Sequence, residues 1–372
     1  MKILVIADNF PCEKHPQRGL FVKKFTDLLS KDHDVYIVSP RIFLKHTFLS
    51  SKVANVYYPL LFSFSNKSLF GVYPFQFLNR FFMNRLIRKI SKHVSKAPPD
   101  FIYSHFISSG VIAEGISKKI NRPYIINIGE STLNNYKNLA PSLIQRVIQG
   151  ATKILTVSQK NKDLILSRFQ YPEENIRYIP NGIDSSLFRR LDKEDCRRSL
   201  GFSANDKIVI FVGLFKHRKG PDRVIEAVKR LENVKLILVG MGEPIPEDPC
   251  IIFNDFVSPE KLPLFLNAAD MFILPTLNEG MPNATLEAMA CGLPIITSDL
   301  DFNREFLTHE SSALLVDPMS IPDLSTAIQR LFDSPELHQK LAQAAYDQSQ
   351  NYTMSLRYER INHLFKSLMP PC

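Results

Sequence analysis

The chain has 372 residues, of which 45% are hydrophobic and 22% charged, a composition typical of a globular protein and unlike that of a disordered one. Its 46 Lys and Arg against 37 Asp and Glu give a formal net charge of +9, and its apolar runs are far shorter than the roughly 20 residues that a membrane-spanning helix needs. Its five cysteines are scattered and form no C-x-x-C pair, which indicates neither a disulfide framework nor a zinc site.

Apolar runs of strand length alternate with segments of helical period, a pattern typical of βα units in parallel sheets. The first run, Lys2–Ala7, is too short for the apolar region of a signal peptide and favours a first strand in a cytoplasmic protein. A helix is expected over Phe21–Leu29. Further strands of the first half are expected at Asp34–Val38, Phe101–Ser104, Tyr124–Ile128 and Ile154–Val157.

The same alternation returns in the second half, after a turn at Ile179–Asp184 and a polar run at Arg189–Arg198. The strands expected there are Ile208–Val212, Lys235–Val239, Met271–Leu274, Pro294–Thr297 and Ala313–Val316. The sequence therefore predicts an α/β fold of two Rossmann-like, doubly wound domains, 1–185 and 186–350, that face a central cleft. A C-terminal helix within 351–372 is expected to cross back to the first domain.

The excess positive charge is concentrated in one stretch. From Val35 to Pro99 there is no Asp or Glu, while ten Lys or Arg occur, so the other 307 residues carry a net charge of −1. The same 65 residues hold 13 of the 39 aromatic residues. This acid-free stretch indicates an anionic partner for the first domain.

The segment Pro275–Gly292 leaves a predicted buried strand, turns at Gly280 and enters a helix near Asn283. The free backbone amides at the start of that helix, around Thr285, attract phosphate by hydrogen bonding and through the helix dipole. A carboxylate beside them accepts hydrogen bonds from sugar or ribose hydroxyls. A capped helix with one solvated Glu is the alternative interpretation.

This segment resembles the signature of glycosyltransferase family 4. Glu279 and Glu287, with seven residues between them, match the family's E-x7-E motif, and Ala288-Met289-Ala290-x-Gly292-x-Pro294 follows. Other matching segments occur in the expected order: Ile179–Asp184, Phe211–Gly213 with Lys219-Gly220, Val239–Gly242 and Leu315–Pro318. The resemblance implies a retaining enzyme of the GT-B architecture, of the bacterial surface-polysaccharide type, that moves a sugar from a nucleotide-diphosphate sugar to a glycan or lipid-linked acceptor.

The resemblance also implies roles for the matching residues. Glu287 would hold the nucleotide ribose, Glu279 would face the donor sugar, and Lys219 would hold the diphosphate without a metal. Expected beside them in the donor site are Gly280, Met281, Asn283, Thr285 and Leu286. The expected donor is a nucleotide sugar, with a UDP-sugar favoured over a GDP-sugar, and no cofactor or metal is expected.

Two positions depart from the family pattern. Leu214 follows Gly213 where the family usually has Arg, so Arg218 or Lys216 is expected to supply the missing cation. Ile128 stands in place of the histidine of a His-Gly pair, and Glu130 becomes a candidate for acceptor contact.

The first domain supplies two further candidates by resemblance. His105, at the end of a predicted strand, matches a position near the reacting sugar, and we expect it to be catalytic. Gly19, after Arg18, stands at the turn where the family brings backbone close to the donor phosphate or the acceptor.

Apolar residues recur at helical spacing between Phe77 and Val94, which predicts a helix with one apolar face. Its other positions include Arg80, Arg85, Arg88, Lys89 and Lys92. Either the helix packs on its sheet with a solvated basic face, or it rests with the aromatic loops 57–64 and 69–77 on an anionic membrane, where each basic residue contributes about 1 kcal/mol. The second interpretation makes the protein peripheral on the inner face of the cell membrane.

Three other functions are alternatives to sugar transfer. A nucleic-acid binder would leave the second domain without a role, and no nucleic-acid motif occurs, so no nucleic-acid partner is expected. A sugar-nucleotide epimerase of the same architecture is disfavoured by the two glutamates together with Lys219-Gly220. A catalytically inactive nucleotide-sugar-binding module is suggested by Leu214 and Ile128.

Overall fold

The computed structural model describes residues 1–12, 19–42, 55–61, 76–130 and 139–368. The chain divides into two compact units: unit 1 is Met1–Ile179 with Ile361–Cys372, and unit 2 is Pro180–Arg360. Each unit is built on a parallel sheet with helices between its strands, so the predicted α/β class with two doubly wound sheets is confirmed.

Unit 1 begins with a strand and alternates strands with helices, except between its first two helices, where the described residues hold four strands in succession. Its elements are β1 (Lys2–Ala7), α1 (Leu20–Asp32), β2 (Asp34–Val38), β3 (Arg41–Ile42), β4 (Val56–Tyr57), β5 (Leu60–Leu61), α2 (Gln76–Val94), β6 (Phe101–His105), α3 (Phe106–Ile120), β7 (Tyr124–Ile128), α4 (Pro141–Gln149), β8 (Lys153–Thr156), α5 (Gln159–Phe169) and β9 (Ile176–Tyr178). In the described part of the unit, the main sheet has the order β4-β2-β1-β6-β7-β8-β9, and β3 pairs with β5 separately.

Unit 2 repeats this architecture. Its elements are α6 (Lys193–Leu200), β10 (Lys207–Val212), α7 (Pro221–Val228), β11 (Val234–Val239), β12 (Ile251–Asp255), α8 (Leu262–Ala268), β13 (Met271–Leu274), α9 (Asn283–Ala290), β14 (Ile295–Ser298), α10 (Asp301–Arg304), β15 (Leu314–Val316), α11 (Ile321–Asp333), α12 (Pro335–Ser349) and α13 (Met354–Ser367). Its parallel sheet has the order β12-β11-β10-β13-β14-β15.

The central strands are buried along their whole length and mostly apolar, because helices cover both faces of each sheet. All five residues of β6 and of β7 are buried, as are all four of β13 and of β14. A strand that alternated polar and apolar residues would expose one face to water. The continuous apolar runs in the sequence therefore correspond to the cores of the two sheets.

The last helix, α13, starts in unit 2 and ends in unit 1. At its end Phe365 is fully buried and packs against Phe101 and Tyr103 of β6, with ring centroids 4.6 and 5.5 Å apart. The terminal segment thus completes the core of the first unit. No helix in the described residues is long and apolar enough to cross a membrane.

In each sheet the strand order reverses at one place. In unit 2 this switch lies between β10 and β13, and in unit 1 it lies between β1 and β6. At a switch, the helices that follow the two neighbouring strands lie on opposite faces of the sheet and leave a crevice at the strands' carboxyl ends, where doubly wound sheets bind ligands. These two places therefore position the candidate functional residues.

Candidate functional site

Two loops meet at the switch of unit 2. The loop after β10 ends in Lys219 and Gly220 at the start of α7, and the loop after β13 carries Glu279 ahead of α9. The predicted diphosphate-binding lysine and the predicted sugar-facing glutamate, 60 residues apart in sequence, are brought together here.

Glu279 is the centre of a charged cluster. Its Oε1 lies 2.5 Å from Lys219 Nζ and 2.9 Å from Arg218 Nη1, and it accepts a hydrogen bond from the Thr276 hydroxyl at 3.1 Å. The side chains of Lys219 and Glu279 are only 14% and 13% exposed, whereas that of Arg218 is 39% exposed. Two cations face one carboxylate, so the cluster carries an excess positive charge that suits an anionic group.

Hydrogen bonds between the two loops hold this cluster in place. The Leu277 amide donates to the Arg218 carbonyl at 2.9 Å, and Arg218 Nη1 donates to the Asn278 carbonyl. Arg223, in the first turn of α7, bridges the same loops: Nη1 donates to the His217 carbonyl and Nη2 to the Pro275 carbonyl, each at 2.9 Å. The two loops therefore form one connected support for Glu279.

No sequence motif marks Arg223, although only 5% of its side chain is exposed. Burial lowers the pKa of its guanidinium, and the neighbouring Asp222 acts in the opposite direction. Its position three residues after Gly220 is the only signal that could have pointed to it. Its hydrogen bonds go to backbone carbonyls, with the Asp222 carboxylate 3.7 Å from Nη1, so it supports the loops that carry the site.

Gly220 has a backbone φ of +82°, a left-handed conformation that side chains with a Cβ disfavour. A Cβ there would lie 2.5 Å from Arg223 Nη2 and 2.9 Å from Pro275 Cγ. Both the conformation and the close approach require glycine, which explains the Lys-Gly pair at the start of α7.

The loops after β10 and β11 run side by side. A Cβ on Gly240 would lie 1.9 Å from the Gly213 carbonyl oxygen, and the Phe215 amide donates to the Met241 carbonyl at 2.9 Å. Leu214, at the position where the family pattern has Arg, is 45% exposed. The cations of this site therefore come from the other end of the loop, at Arg218 and Lys219.

The predicted donor residues around the start of α9 differ in accessibility. Asn283 is exposed, and its Oδ1 accepts a hydrogen bond from Asn181 Nδ2 at 2.9 Å. Gly280 and Met281 are buried, and Thr285 and Leu286 are fully buried. The side chains of Thr285 and Leu286 therefore cannot reach a ligand without a change in packing, and the Leu286 amide donates to the Pro282 carbonyl at 3.3 Å.

Glu287 lies in the second turn of α9 and is half-buried. Cys291 lies one turn further along the helix. Burial of its thiol, and to a smaller extent the charge of Glu287, raises the pKa of that thiol to about 12. The structure does not bring Glu287 into an ion pair with Lys219 or Arg218, whose carboxylate partner is Glu279.

At the switch of unit 1, His105 ends β6 and is 2% exposed. Its Nδ1 lies 3.4 Å from Asn127 Nδ2, and its ring contacts aromatic rings edge-on. These rings belong to Phe21, Phe25, Tyr103 and Phe106. Glu130 lies at the same edge, where its Oε1 accepts a hydrogen bond from the Ile107 amide at 2.8 Å and so caps the start of α3.

Gly19 precedes α1 and has a φ of +71°. A Cβ at this position would lie 2.1 Å from the carbonyl oxygen of Asn9, which belongs to the segment after β1. Gly19 therefore packs closely against a second segment of backbone, and its approach to a substrate stays a prediction. Its neighbour Arg18 lies outside the described residues.

Two family models match consecutive parts of the chain: "Glycosyltransferase Family 4" over residues 25–187 and "Glycosyl transferases group 1" over residues 192–348. The chain belongs to the family 4 glycosyltransferases. The resemblance that Glu279 and Glu287 carry in the sequence is thereby confirmed.

Individual relatives agree with this membership. The chain is 28% identical to the "Putative teichuronic acid biosynthesis glycosyltransferase TuaC" of Bacillus subtilis, over 89% of each chain. It is 25% identical to an Escherichia coli enzyme, "UDP-Gal:alpha-D-GlcNAc-diphosphoundecaprenol alpha-1,3-galactosyltransferase", over 69% of this chain and 76% of the relative. The fold is similar to that of Anabaena HepE, solved in complex with UDP-glucose, with a TM-score of 0.75 at 18% identity over 99% of this chain and 100% of that chain.

In this family 4 glycosyltransferase, α2 exposes all five of its singled-out basic residues. Arg80, Arg85, Arg88, Lys89 and Lys92 are exposed, and no ion pair joins them to a carboxylate of the described residues. The predicted apolar face is buried only in the second part of the helix, at Leu86, Ile87, Ile90 and Val94. In its first turns Phe77, Leu78 and Phe81 are 79%, 38% and 53% exposed, so the first of the two interpretations, a helix packed on its sheet, describes only the second part of α2.

The aromatic loops of the predicted membrane surface lie only partly within the described residues. Of the aromatic loops 57–64 and 69–77, residues 62–64 and 69–75 lie outside the described residues. Within the described ranges, no cluster of three or more His, Cys, Asp or Glu is arranged to hold a metal ion.

Proposed function

We propose that this glycosyltransferase moves a sugar from a UDP-sugar to a glycan or lipid-linked acceptor, with retention of the anomeric configuration, in the synthesis of a cell-surface polysaccharide or glycolipid. The observation that carries the proposal is the cluster of Lys219 and Arg218 around Glu279 at the switch of unit 2. It combines a cationic site for a diphosphate with a carboxylate that can accept hydrogen bonds from sugar hydroxyls.

The charges fit the chemistry of the leaving group. Departure of a nucleoside diphosphate builds negative charge on its phosphate oxygens, and Lys219 and Arg218 stabilise that charge, with backbone amides at the start of α9. Glu287 takes the ribose hydroxyls, and Glu279 takes hydroxyls of the donor sugar. The diphosphate itself acts as the base towards the incoming hydroxyl, so the protein supplies no nucleophile.

A UDP-sugar is proposed as donor because the E. coli relative is named for UDP-Gal and the similar Anabaena structure holds UDP-glucose. The test is a thermal-shift panel of UDP- and GDP-sugars, since a ligand that binds only the folded state raises the melting temperature with its affinity. UDP-sugars are expected to raise it most. A larger rise with a GDP-sugar would contradict the choice of donor.

The transfer itself is tested by turnover of the best donor with a lipid-linked acceptor. We expect Lys219→Met to lower kcat/KM by about 100-fold or more, because groups that stabilise developing charge contribute factors of this size. The matched control is Lys229→Met, which removes an exposed lysine from the same unit. Donor binding without transfer or hydrolysis would identify an inactive binding module, and inversion at a sugar carbon without transfer would identify an epimerase.

Unit 1 supplies the acceptor side of the proposal. The proposed domains are 1–185 for the acceptor and 186–350 for the donor, with 351–372 crossing back. His105 is proposed to contact the reacting sugar, and Gly19 to let backbone approach the substrates. His105→Ala is expected to lower kcat while leaving the affinity for UDP unchanged, and a loss of UDP affinity alone would contradict the assignment.

We further propose that the enzyme is cytoplasmic and binds the anionic inner face of the cell membrane through α2. Four of its exposed cations, Arg85, Arg88, Lys89 and Lys92, supply electrostatic attraction, and the exposed Phe77 and Phe81 supply apolar contact.

Cosedimentation with anionic and neutral liposomes tests this surface. Neutralising the four cations of α2 is expected to abolish the preference for anionic liposomes. The control neutralises four exposed basic residues of unit 2 instead: Arg198, Arg230, Lys261 and Lys340. Equal losses in the two variants would show that only net charge matters, and the docking surface would then be rejected.

A further inference from the structure

Arg41 is a buried cation whose hydrogen-bonding capacity is largely unused. It opens β3, is 6% exposed, and donates from Nη2 to the Phe10 carbonyl at 2.6 Å. Its guanidinium carbon lies 4.9 Å from the centre of the Tyr58 ring. Its Nε and Nη1 are buried and have no hydrogen-bond partner in the described part of the chain.

Burial of this charged guanidinium destabilises the fold unless another group accepts its free hydrogen bonds. Arginine stays protonated at any pH that proteins tolerate, so burial cannot be relieved by loss of the proton. A buried charge needs hydrogen bonds and a partner of opposite sign, and no ion pair joins Arg41 to a carboxylate of the described residues. Arg41 also belongs to the acid-free stretch Val35–Pro99, which offers no carboxylate nearby in sequence.

The surroundings of Arg41 form part of the ligand-binding edge of unit 1. Phe10 follows β1, and Ser39, which follows β2, has a fully buried hydroxyl that also lacks a partner in the described ranges. Gly19 packs on the carbonyl of the neighbouring Asn9. These residues therefore lie at the carboxyl ends of β1 and β2, beside the switch where parallel sheets bind ligands.

We propose that Arg41 anchors an oxyanion of the sugar acceptor, either a phosphate of a lipid diphosphate or the carboxylate of an acidic sugar. Phosphate and carboxylate oxygens accept charge-assisted hydrogen bonds from guanidinium donors such as Nε and Nη1, and the Ser39 hydroxyl adds a further donor. The inference rests on the proposed function, because it assigns the chemistry of the acceptor. An anion site at Arg41 gives the enzyme selectivity for anionic acceptors.

Binding of inorganic phosphate tests the site without any enzyme assay. The melting temperature is measured with phosphate up to about 50 mM against sodium chloride of equal ionic strength, with UDP at saturation so that the diphosphate site is occupied. We expect phosphate to raise the melting temperature by about 2 to 5 °C in the wild type, and Arg41→Met to remove that rise. Arg177→Met, which removes an exposed arginine on β9, is the control and should keep it.

Arg41→Lys covers the case in which Arg41→Met does not fold. It keeps the charge but loses the planar donors, so its response to phosphate is expected to be weaker than that of the wild type by about tenfold in affinity. An equal phosphate response in wild type and in either Arg41 variant would overturn the proposal. So would a wild type that responds no more to phosphate than to sodium chloride of equal ionic strength, since Arg41 would then act only through Phe10 and Tyr58.

Kinetics separate the two sources of the oxyanion. Acceptors are compared in three forms: a glycan on a lipid diphosphate, the same glycan on a neutral lipid, and a glycan ending in a uronic acid on a neutral lipid. We expect Arg41→Lys to raise KM about tenfold for the anionic form that the wild type prefers, with KM for the donor unchanged. Transfer with no dependence on Arg41 in any form rejects the anion site and leaves the proposed function intact. A phosphate response that needs Arg41, without transfer to any acceptor, would support the anion site and contradict the proposed function.

Discussion

Lys219 Nζ lies 2.5 Å from Glu279 Oε1, so the cation assigned to the donor diphosphate is paired with the carboxylate assigned to the donor sugar. Both side chains are about 14% exposed or less, and water therefore screens this pair weakly. A diphosphate that binds Lys219 has to compete with Glu279 for it. The pairing therefore affects the affinity of UDP, which has phosphates and a ribose but no donor sugar to contact Glu279.

Glu279→Gln is expected to strengthen UDP binding by about three- to tenfold while lowering turnover of the UDP-sugar by about 100-fold or more. Affinity rises because Lys219 and Arg218 are released from a negative charge, and turnover falls because the contact to the donor sugar is weakened. Isothermal titration with UDP and steady-state kinetics measure the two effects. Glu226→Gln, on the exposed face of α7, is the control and should change neither. Weaker UDP binding by Glu279→Gln would mean that the pair holds the loops together rather than competing with the ligand.

Gly220→Ala is expected to reduce the free energy of unfolding by about 2 to 4 kcal/mol and to abolish UDP binding. The new Cβ would lie 2.5 Å from Arg223 Nη2, so Arg223 would lose its bonds to the loops that carry Lys219 and Glu279. Gly201→Ala is a close control because its φ of +75° matches the +82° at Gly220 while nothing lies within 4 Å of its added Cβ. It should cost about 1 kcal/mol from backbone conformation alone and leave UDP binding unchanged. Urea unfolding with and without UDP measures both, and equal costs at the two glycines would contradict the bridging role of Arg223.

The sequence predicts the central strands well because helices cover both faces of each sheet. Lys2–Ala7, Asp34–Val38, Tyr124–Ile128 and Met271–Leu274 are observed with the predicted bounds. The strand β12 was missed because its residues are only half-buried or exposed and so lack a continuous apolar signal. The three-residue β9 was missed for a similar reason, since two of its three residues are exposed.

Side chains whose role depends on burial were harder to foresee. Lys219 and Glu279 could be predicted as site residues because they lie in motifs. They are 60 residues apart in sequence and form an ion pair because β10 and β13, the strands that precede them, are neighbours in the sheet. Arg41 and Arg223 lie in no such motif, and the sequence alone does not show whether an arginine is buried or exposed. The exposure of the first turns of α2 could not be predicted either. A helical period of apolar residues predicts an apolar helix face, but it does not show whether another element covers that face.

Glu130→Ala is expected to lower the free energy of unfolding by about 1 to 2 kcal/mol, because the Ile107 amide at the start of α3 loses the acceptor 2.8 Å away. Glu130→Gln keeps an oxygen acceptor at that position and should recover a large part of the loss, leaving out the interaction of the charge with the helix dipole. Urea unfolding of the two variants measures the difference. If Glu130→Ala were as stable as the wild type but raised KM for the acceptor, the residue would serve the acceptor and not the helix.

Cys291 is expected to resist alkylation in the folded enzyme. Burial, reinforced by the charge of Glu287, raises the pKa of its thiol to about 12, so at pH 8 only about one thiol in ten thousand is the reactive thiolate. Iodoacetamide at pH 8 followed by mass spectrometry should label the half-buried Cys12 and leave Cys291 unlabelled until denaturant is added. Glu287→Gln should not expose the thiol to reagent, because burial contributes more to the raised pKa than the carboxylate does. Rapid labelling of Cys291 in that variant alone would show instead that Glu287 keeps α9 packed, and its proposed contact with the ribose would need a test that separates binding from folding.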